Sequence, residues 1–295
     1  MPGIRLLYGN ERRKTMRQYL ELIEIILTKG SHKERSPQGI GNRAICGYQM
    51  RFSLAEGFPL ITTRKISFRV IREELLWMLS GSSLLKDLHD RGVHVWDPWG
   101  TPEICKSLNL SPGDLGAVYG AQWRRWKTRD GKEIDQIARA VEGLKKFPES
   151  RRHYVTAWNP ENVTDADGND RVFVAPCIRS FQFFWAEGKL SLYVTHGSAD
   201  VMIGLPFDIA EYALLLLIVA KVVKAEAYEL VYALTDAHIY LNYLEAASML
   251  LSRKPRPLPK VTVAEKDDIF SFMSEDFTLT GYDPHPTIPD LRGNL

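Results

Sequence analysis

Cysteine is scarce in this sequence: Cys46, Cys105 and Cys177 are the only three in 295 residues. An odd, widely spaced set excludes a disulfide framework and paired metal-ligand motifs, and it points to a reducing compartment. Charge of one sign is lacking too. With 38 basic against 36 acidic residues the net charge is +2, so neither a nucleic-acid track nor an anionic membrane surface is expected as a partner, although a local anion pocket is compatible with that balance. No apolar run approaches the ~20 residues needed to cross a bilayer. The most apolar, ALLLLIVA at 213–220, has Glu211 before it and Lys221 after it and reads as a buried core helix. The opening MPGIRLLYGNERRK lacks the ordered regions of a secretory leader, so a cytoplasmic location is expected. Repeats, low-complexity tracts and Pro/Gly/Ser linkers are missing as well, which leaves 1–295 as a single domain.

A hydrophobic fraction of 45% with 25% charged residues is ample for a core. Apolar residues at helical spacing predict a helix over 16–28, and the Gly-, Pro- and charge-rich 31–43 predicts a loop carrying Arg35. Strands are predicted over 47–54 and 60–64 around a turn at Glu56 and Gly57, then helices over 68–79 and 134–147, with Arg151 and Arg152 just beyond the second. The middle reads as strands over 153–158, 172–185 and 190–195, the last two joined by a hairpin at Ala-Glu-Gly-Lys, which puts Cys177 inside a strand. A helix over 207–224, a strand over 229–234 and a helix over 238–251 complete an α+β pattern of helices against a largely antiparallel or mixed sheet.

Two readings of Cys177 are open from its context alone. A cysteine after proline in an apolar strand is commonly an inert core residue. A nucleophilic thiol instead requires cationic or donor groups that favour the thiolate, and Arg179 and His196 are the candidate cations nearby in sequence.

The strings GYQMRF, GFPLITTRK, EELLW, VWDPW, GDLGAVYGAQW, SRR, APC, QFFWAEGKLS, GLPF, DAHIYLN and RKPRPLPK follow one another through nearly the whole chain. One of them alone would be weak. In this order they make the sequence resemble the thymidylate synthase family, which implies a mixed sheet packed by helices, a sheet-mediated homodimer, and one-carbon transfer to C5 of a pyrimidine nucleotide from 5,10-methylenetetrahydrofolate. The resemblance assigns Cys177 the attack on C6, Glu74 the proton transfers around the ring, and Tyr119 a place beside them. It assigns phosphate binding to Arg35, to Ser198, and to Arg151 and Arg152 reaching across from the partner subunit, since guanidinium groups bind two phosphate oxygens at once. His238 and Tyr240 fall to the sugar. Trp96, Trp99, Asp200, Gly204 and Phe207 fall to the folate side, where aromatic walls and a fixed carboxylate suit a flat heterocycle.

Several positions depart from the family pattern. Relatives read Gln-Arg-Ser-x-Asp where this chain has His196-Gly197-Ser198-Ala199-Asp200, so an arginine that binds phosphate and supports the thiolate is missing; Arg179 is a hypothetical replacement. Ile178 stands where the family usually has histidine. Asp208 stands where thymidylate synthases have asparagine, and cytosine reverses the donor and acceptor of uracil, so a carboxyl group favours cytosine; the deoxycytidylate and cytidylate hydroxymethylases carry the same replacement. The reading of Asp208 as only a helix cap is the structural alternative. Methylating relatives close the site with a short apolar tail, whereas PDLRGNL carries Arg292 and Asn294. Admitted water and a hydroxymethyl product are therefore expected. The chain is expected to be a (deoxy)cytidylate C5 hydroxymethyltransferase. The alternatives are a C5 methyltransferase acting on cytidylate or deoxyuridylate and, in another class, a catalytically silent nucleotide-binding relative. CMP and dCMP stay open, and phage DNA modification and nucleoside-antibiotic synthesis both fit.

Overall fold

The computed structural model describes residues 15–34 and 39–291; Arg35, Arg292 and Asn294 lie outside them. Its centre is a six-stranded sheet of β1 (Ser31–Lys33), β2 (Asn42–Ser53), β3 (Tyr154–Thr156), β4 (Ile178–Ala186), β5 (Lys189–Asp200) and β6 (Glu226–Tyr240). The order is β1-β2-β6-β5-β4-β3, and every neighbouring pair is antiparallel except β5 and β6. That parallel pair needs a crossover, supplied by helix α5 (Gly204–Val223). Fifteen of its twenty residues are buried, as an all-round apolar helix requires. The ALLLLIVA run therefore sits at the centre of the core, with α1 (Arg17–Lys29), α2 (Phe68–Ser80), α3 (Tyr119–Arg124), α4 (Gln136–Lys146) and α6 (Leu244–Ser252) placed around it and the sheet. The α+β class and mixed sheet are as expected. Among the described residues no helix is long and apolar enough to cross a membrane.

The hairpin forms where expected. Ala186 pairs with Lys189 across Glu187 (φ 52°) and Gly188 (φ 75°), and two left-handed residues in succession match the right-handed twist of the flanking strands. Four expectations need correction. Residues 31–33 are a short edge strand paired with 42–44, so the loop is shorter than its composition predicts. Residues 60–64 are not a strand. They are buried irregular backbone whose carbonyls accept from the C-terminal part of the chain: Tyr282 OH donates to Ile61 O (2.9 Å), His285 N to Thr62 O (2.8 Å) and Arg253 Nη1 to Thr63 O (2.8 Å). Cys177 lies one residue before β4, not within it. Finally, the predicted helix over 238–251 starts only at Leu244, and His238 and Tyr240 are on β6. Ala237 pairs with Ile45 on one side and Ala199 on the other, and this two-sided ladder overrides helical spacing.

Candidate active site

The C-terminal ends of the parallel strands β5 and β6 and the first turn of α5 meet at one cavity, the usual place for a ligand in a sheet with a parallel crossover. Its volume is about 480 Å³. Glu74 enters from α2, Trp96, Pro98 and Trp99 from the turn after it, and Tyr119 from α3. Cys177 enters ahead of β4, His196, Ser198 and Asp200 from β5, Gly204, Phe207 and Asp208 from α5, and His238 and Tyr240 from β6. Chain segments far apart in sequence thus deliver the residues that the motifs single out. A larger concavity of about 670 Å³ on the opposite face of the sheet holds none of the residues just named, though Arg151 lines it.

Cys177 is fixed by its backbone on both sides. Its amide donates to Tyr119 Oη (2.9 Å), and its carbonyl accepts from Gly197 N (2.7 Å). Burial pushes the thiol up to about 11, with the Asp208 charge adding to this, while a bond from Tyr119 and the Arg179 guanidinium pull the other way. Arg179 is exposed, stacks over Trp158 at 4.9 Å, and lies flat on Gly197: a Cβ there would fall 2.6 Å from Arg179 Cζ and 2.7 Å from Nη2. Glycine at 197 is what leaves room for this cation, which does not line the cavity although its charge acts on the thiol.

His196 is not the second cation. It is 1% exposed, and burial lowers its pKa to about 3, so the ring is neutral. Its Nε2 faces the Ser198 carbonyl at 2.9 Å and must carry the hydrogen; Nδ1 then accepts from Tyr232 Oη at 3.2 Å. The 4.0 Å approach of Nδ1 to Asp208 Oδ2 is therefore no ion pair.

Carboxyl groups crowd the floor of the cavity. Trp96 Nε1 donates to Glu74 Oε1 at 2.6 Å, but burial dominates and raises Glu74 to about 7. Burial, then the charges of Glu74 and Asp200, holds Asp208 well above the carboxylate range. Both groups keep a strip of accessible surface only because the cavity reaches them. Asp200 Oδ1 accepts from Met202 N (3.0 Å) and Ile203 N (3.2 Å), the amides leading into α5, which leaves Oδ2 free of these bonds. The N-cap of α5 is Ile203, which no side chain caps, and Asp208 sits inside the first turns of α5 facing the cavity.

The aromatic wall is braced from behind. His89 Nε2 (2.6 Å) and His94 Nδ1 (3.0 Å) bond the two oxygens of Asp97, which fixes the turn bearing Trp96 and Trp99, whose rings stand edge to face at 5.4 Å. Phe207, Tyr243 and Val95 extend this wall, and with Asp200 they match a flat heterocycle bearing ring N–H donors. On the β6 side His238 Nδ1 bonds Asp236 Oδ1 at 3.0 Å and its ring lies 5.0 Å from Tyr240. Ser198 is exposed at the rim.

Arg151 and Arg152 do not join this cavity. Both are exposed beyond α4, and Arg151 lines the concavity on the other face of the sheet. The motif reading gave no role to the polar lining residues Asn242 and Tyr243, although DAHIYLN and the tyrosine after it mark their place, nor to the apolar Ile40, Val95, Pro98, Val174 and Ile203. Tyr232, which bonds His196 Nδ1, gave no signal beyond strand alternation. A family model described as thymidylate synthase matches residues 17–290, nearly the whole chain, and with the cysteine, glutamate, tyrosine and aspartate of the motifs gathered at one cavity, the chain belongs to the thymidylate synthase family.

Proposed function

We propose that this enzyme transfers a one-carbon unit from 5,10-methylenetetrahydrofolate to C5 of a cytosine nucleoside monophosphate, CMP or dCMP, and that water completes the product as a 5-hydroxymethyl group. Folate-dependent one-carbon transfer to pyrimidine C5 is the chemistry of the family to which the chain belongs. The observation that carries the finer reading is Asp208, an enclosed carboxyl whose proton affinity is raised by burial and by Glu74 and Asp200. A carboxyl that keeps its proton at neutral pH donates to cytosine N3 and accepts from the C4 amino group. Cytosine can also take that proton and form a charge-assisted pair, which uracil N3–H cannot do. An ionised Asp208 would set acceptor against uracil O4, at a cost of ~1 to 3 kcal/mol.

The chain's residues divide the work as follows. Cys177 Sγ bonds to C6, and the C5–C6 electron pair becomes available for the new bond at C5. Glu74, poised near neutrality, takes the C5 proton, which would release the transferred carbon from its folate nitrogen as tetrahydrofolate departs; water then adds to the exocyclic methylene, and expulsion of the thiolate from C6 restores the ring double bond. Methylenetetrahydrofolate supplies the carbon, and Trp96, Trp99, Phe207 and Asp200 are the residues that would hold it. His238 and Tyr240 face the sugar. Arg179 on its glycine seat supports the thiolate and receives the phosphate together with Ser198, in place of the arginine that Gly197 lacks.

Incubation with methylenetetrahydrofolate and, separately, CMP, dCMP, UMP and dUMP tests the reading. A hydroxymethylated cytosine nucleotide without dihydrofolate is expected, and Asp208→Asn should move the preference toward uracil. In the same assay Arg179→Ala should raise the nucleotide KM by about 10- to 100-fold, as loss of a charge-assisted hydrogen bond implies. Methylated dUMP with dihydrofolate would overturn the base assignment, and unchanged turnover by Cys177→Ser would overturn the nucleophile.

A further inference from the structure

Glu211 has no part in the scheme above, yet it is one of the most enclosed carboxyls of the chain. It lies three residues beyond Asp208 on α5, so the two side chains leave the same face of the helix. Glu211 is 3% exposed, its Oε1 has no hydrogen-bond partner, and among the described residues no Lys, Arg or His forms an ion pair with it. Helix α2 packs against α5 and repeats the spacing: Glu74 faces the cavity, and three residues on, Trp77 is fully buried with its Nε1 equally unpartnered. The Tyr212 hydroxyl is a third buried polar atom left without a partner.

The groups that act on Glu211 are Glu74 from α2 and Asp208 from its own helix, and it acts in turn on Tyr212 beside it and Tyr232 of β6. None is a cation. Burial, followed by the Glu74 and Asp208 charges, drives its proton affinity well above the carboxylate range. The geometry alone leads to the same end, since an unpaired carboxylate sealed from water is far costlier than an un-ionised acid.

We propose that Glu211 is a positioning residue for the one-carbon transfer: a proton-bearing acid, unpartnered in this structure, that turns its proton to the Glu74–Asp208 pair from the protein side when one of the two takes up negative charge in the closed pocket. A bound pyrimidine covers the open side of both carboxyls, so a donor that favours the charged member has to come from behind them. Burial that keeps an acid un-ionised is a general way to make a carboxyl group a donor. The proton stays on Glu211 throughout, and no bond forms or breaks there. This rests on the roles given above to Glu74 and Asp208.

Glu211→Gln keeps a neutral donor, whereas Glu211→Leu removes donor and acceptor at similar volume. With whichever nucleotide the enzyme turns over, the glutamine variant should stay within about threefold of the parent kcat. The leucine variant should lose about tenfold or more in kcat with little change in nucleotide KM. Loss of the donor should also move the kcat inflection near neutrality upward by about one pH unit in the leucine variant and not in the glutamine variant. Infrared spectroscopy reads the group directly: Asp208 shares the protonated-acid carbonyl absorption, so that absorption should lose the Glu211 component in both variants and keep it in Asp208→Asn. That readout depends on neither turnover nor base preference, so a failed base assignment and a failed Glu211 assignment are told apart. Should the leucine variant not fold, the glutamine variant and its spectrum decide. Undiminished acid-band intensity in Glu211→Gln, a glutamine variant with tenfold lower kcat, or a leucine variant with the parent's kcat and pH profile would each overturn the proposal.

Discussion

Glu73 and Glu74 are neighbours in the sequence and opposites in environment. Burial pushes both up, but Glu73 is bonded by Ser274 Oγ (2.6 Å), Arg72 Nη2 (2.7 Å) and Arg91 Nη1 (3.3 Å), which outweigh burial and hold it below the usual range. Glu74 has only the Trp96 indole and ends near 7. The EELLW string does not tell these two fates apart; the facing side chains do. Because proton removal from C5 needs the basic form of Glu74, kcat should rise with pH through about 7, and Glu74→Gln should abolish that limb. A pH–rate profile of the two proteins checks this, and an unchanged limb in the variant would reassign it. The stability signs are opposite. Glu74, with its folded value above the unfolded 4.5, favours folding in the protonated form, a contribution complete below 4.5 and lost as pH climbs through about 7. Glu73, depressed, stabilises the fold above the unfolded value and loses that contribution as pH falls through its folded value.

At the scale of elements, that Glu73 cluster ties α2 to Arg91 and to Ser274, segments that share no strand pairing. With its side chain only 6% exposed, removing the carboxylate strands two arginines. Glu73→Ala should therefore cost about 3 kcal/mol in urea unfolding at neutral pH, whereas a loss below about 1 kcal/mol would show that the pair behaves like a surface bridge. Element boundaries were legible where one periodicity acted alone: α2 begins at residue 68 as its pattern predicts, and the hairpin forms at Glu187 and Gly188. They were misread where remote pairing competed. Residues 60–64 have the apolar composition of a strand, but their carbonyls are claimed by Arg253, Tyr282 and His285, and in β6 residues 236–238 are held by ladders on both sides and 239–240 by β2.

For the whole molecule, the outer face of the sheet exposes Phe184, Tyr193 and Tyr228 beside Arg151. An aromatic sheet face of this kind is a candidate surface for a second copy, and the dimer proposed from the family resemblance would carry Arg151 and Arg152 to the partner's site. Mixing Cys177→Ser with an Arg151→Ala/Arg152→Ala double variant should then restore activity that neither protein has alone, because one site of the mixed dimer regains all its parts. Sedimentation of the parent should show a dimer. A monomer, or no recovery on mixing after subunit exchange, would place both arginines outside the reaction.

Cys177, Glu74, Asp208, His238 and the tryptophan pair stand in motif strings whose order alone points to the family, and the apolar run of α5 announces a buried helix wherever the chain folds. Local sequence suffices for these because residue type and spacing act over a few positions. The charge states had to wait for the tertiary structure. His196 is neutral because the fold buries it, Arg179 lies against Gly197 because that residue has no side chain, and Glu211 is driven toward its un-ionised form by burial, with the Glu74 and Asp208 charges adding to it. Proton affinity depends on what surrounds a group in space, and chain order does not contain that until the fold is made.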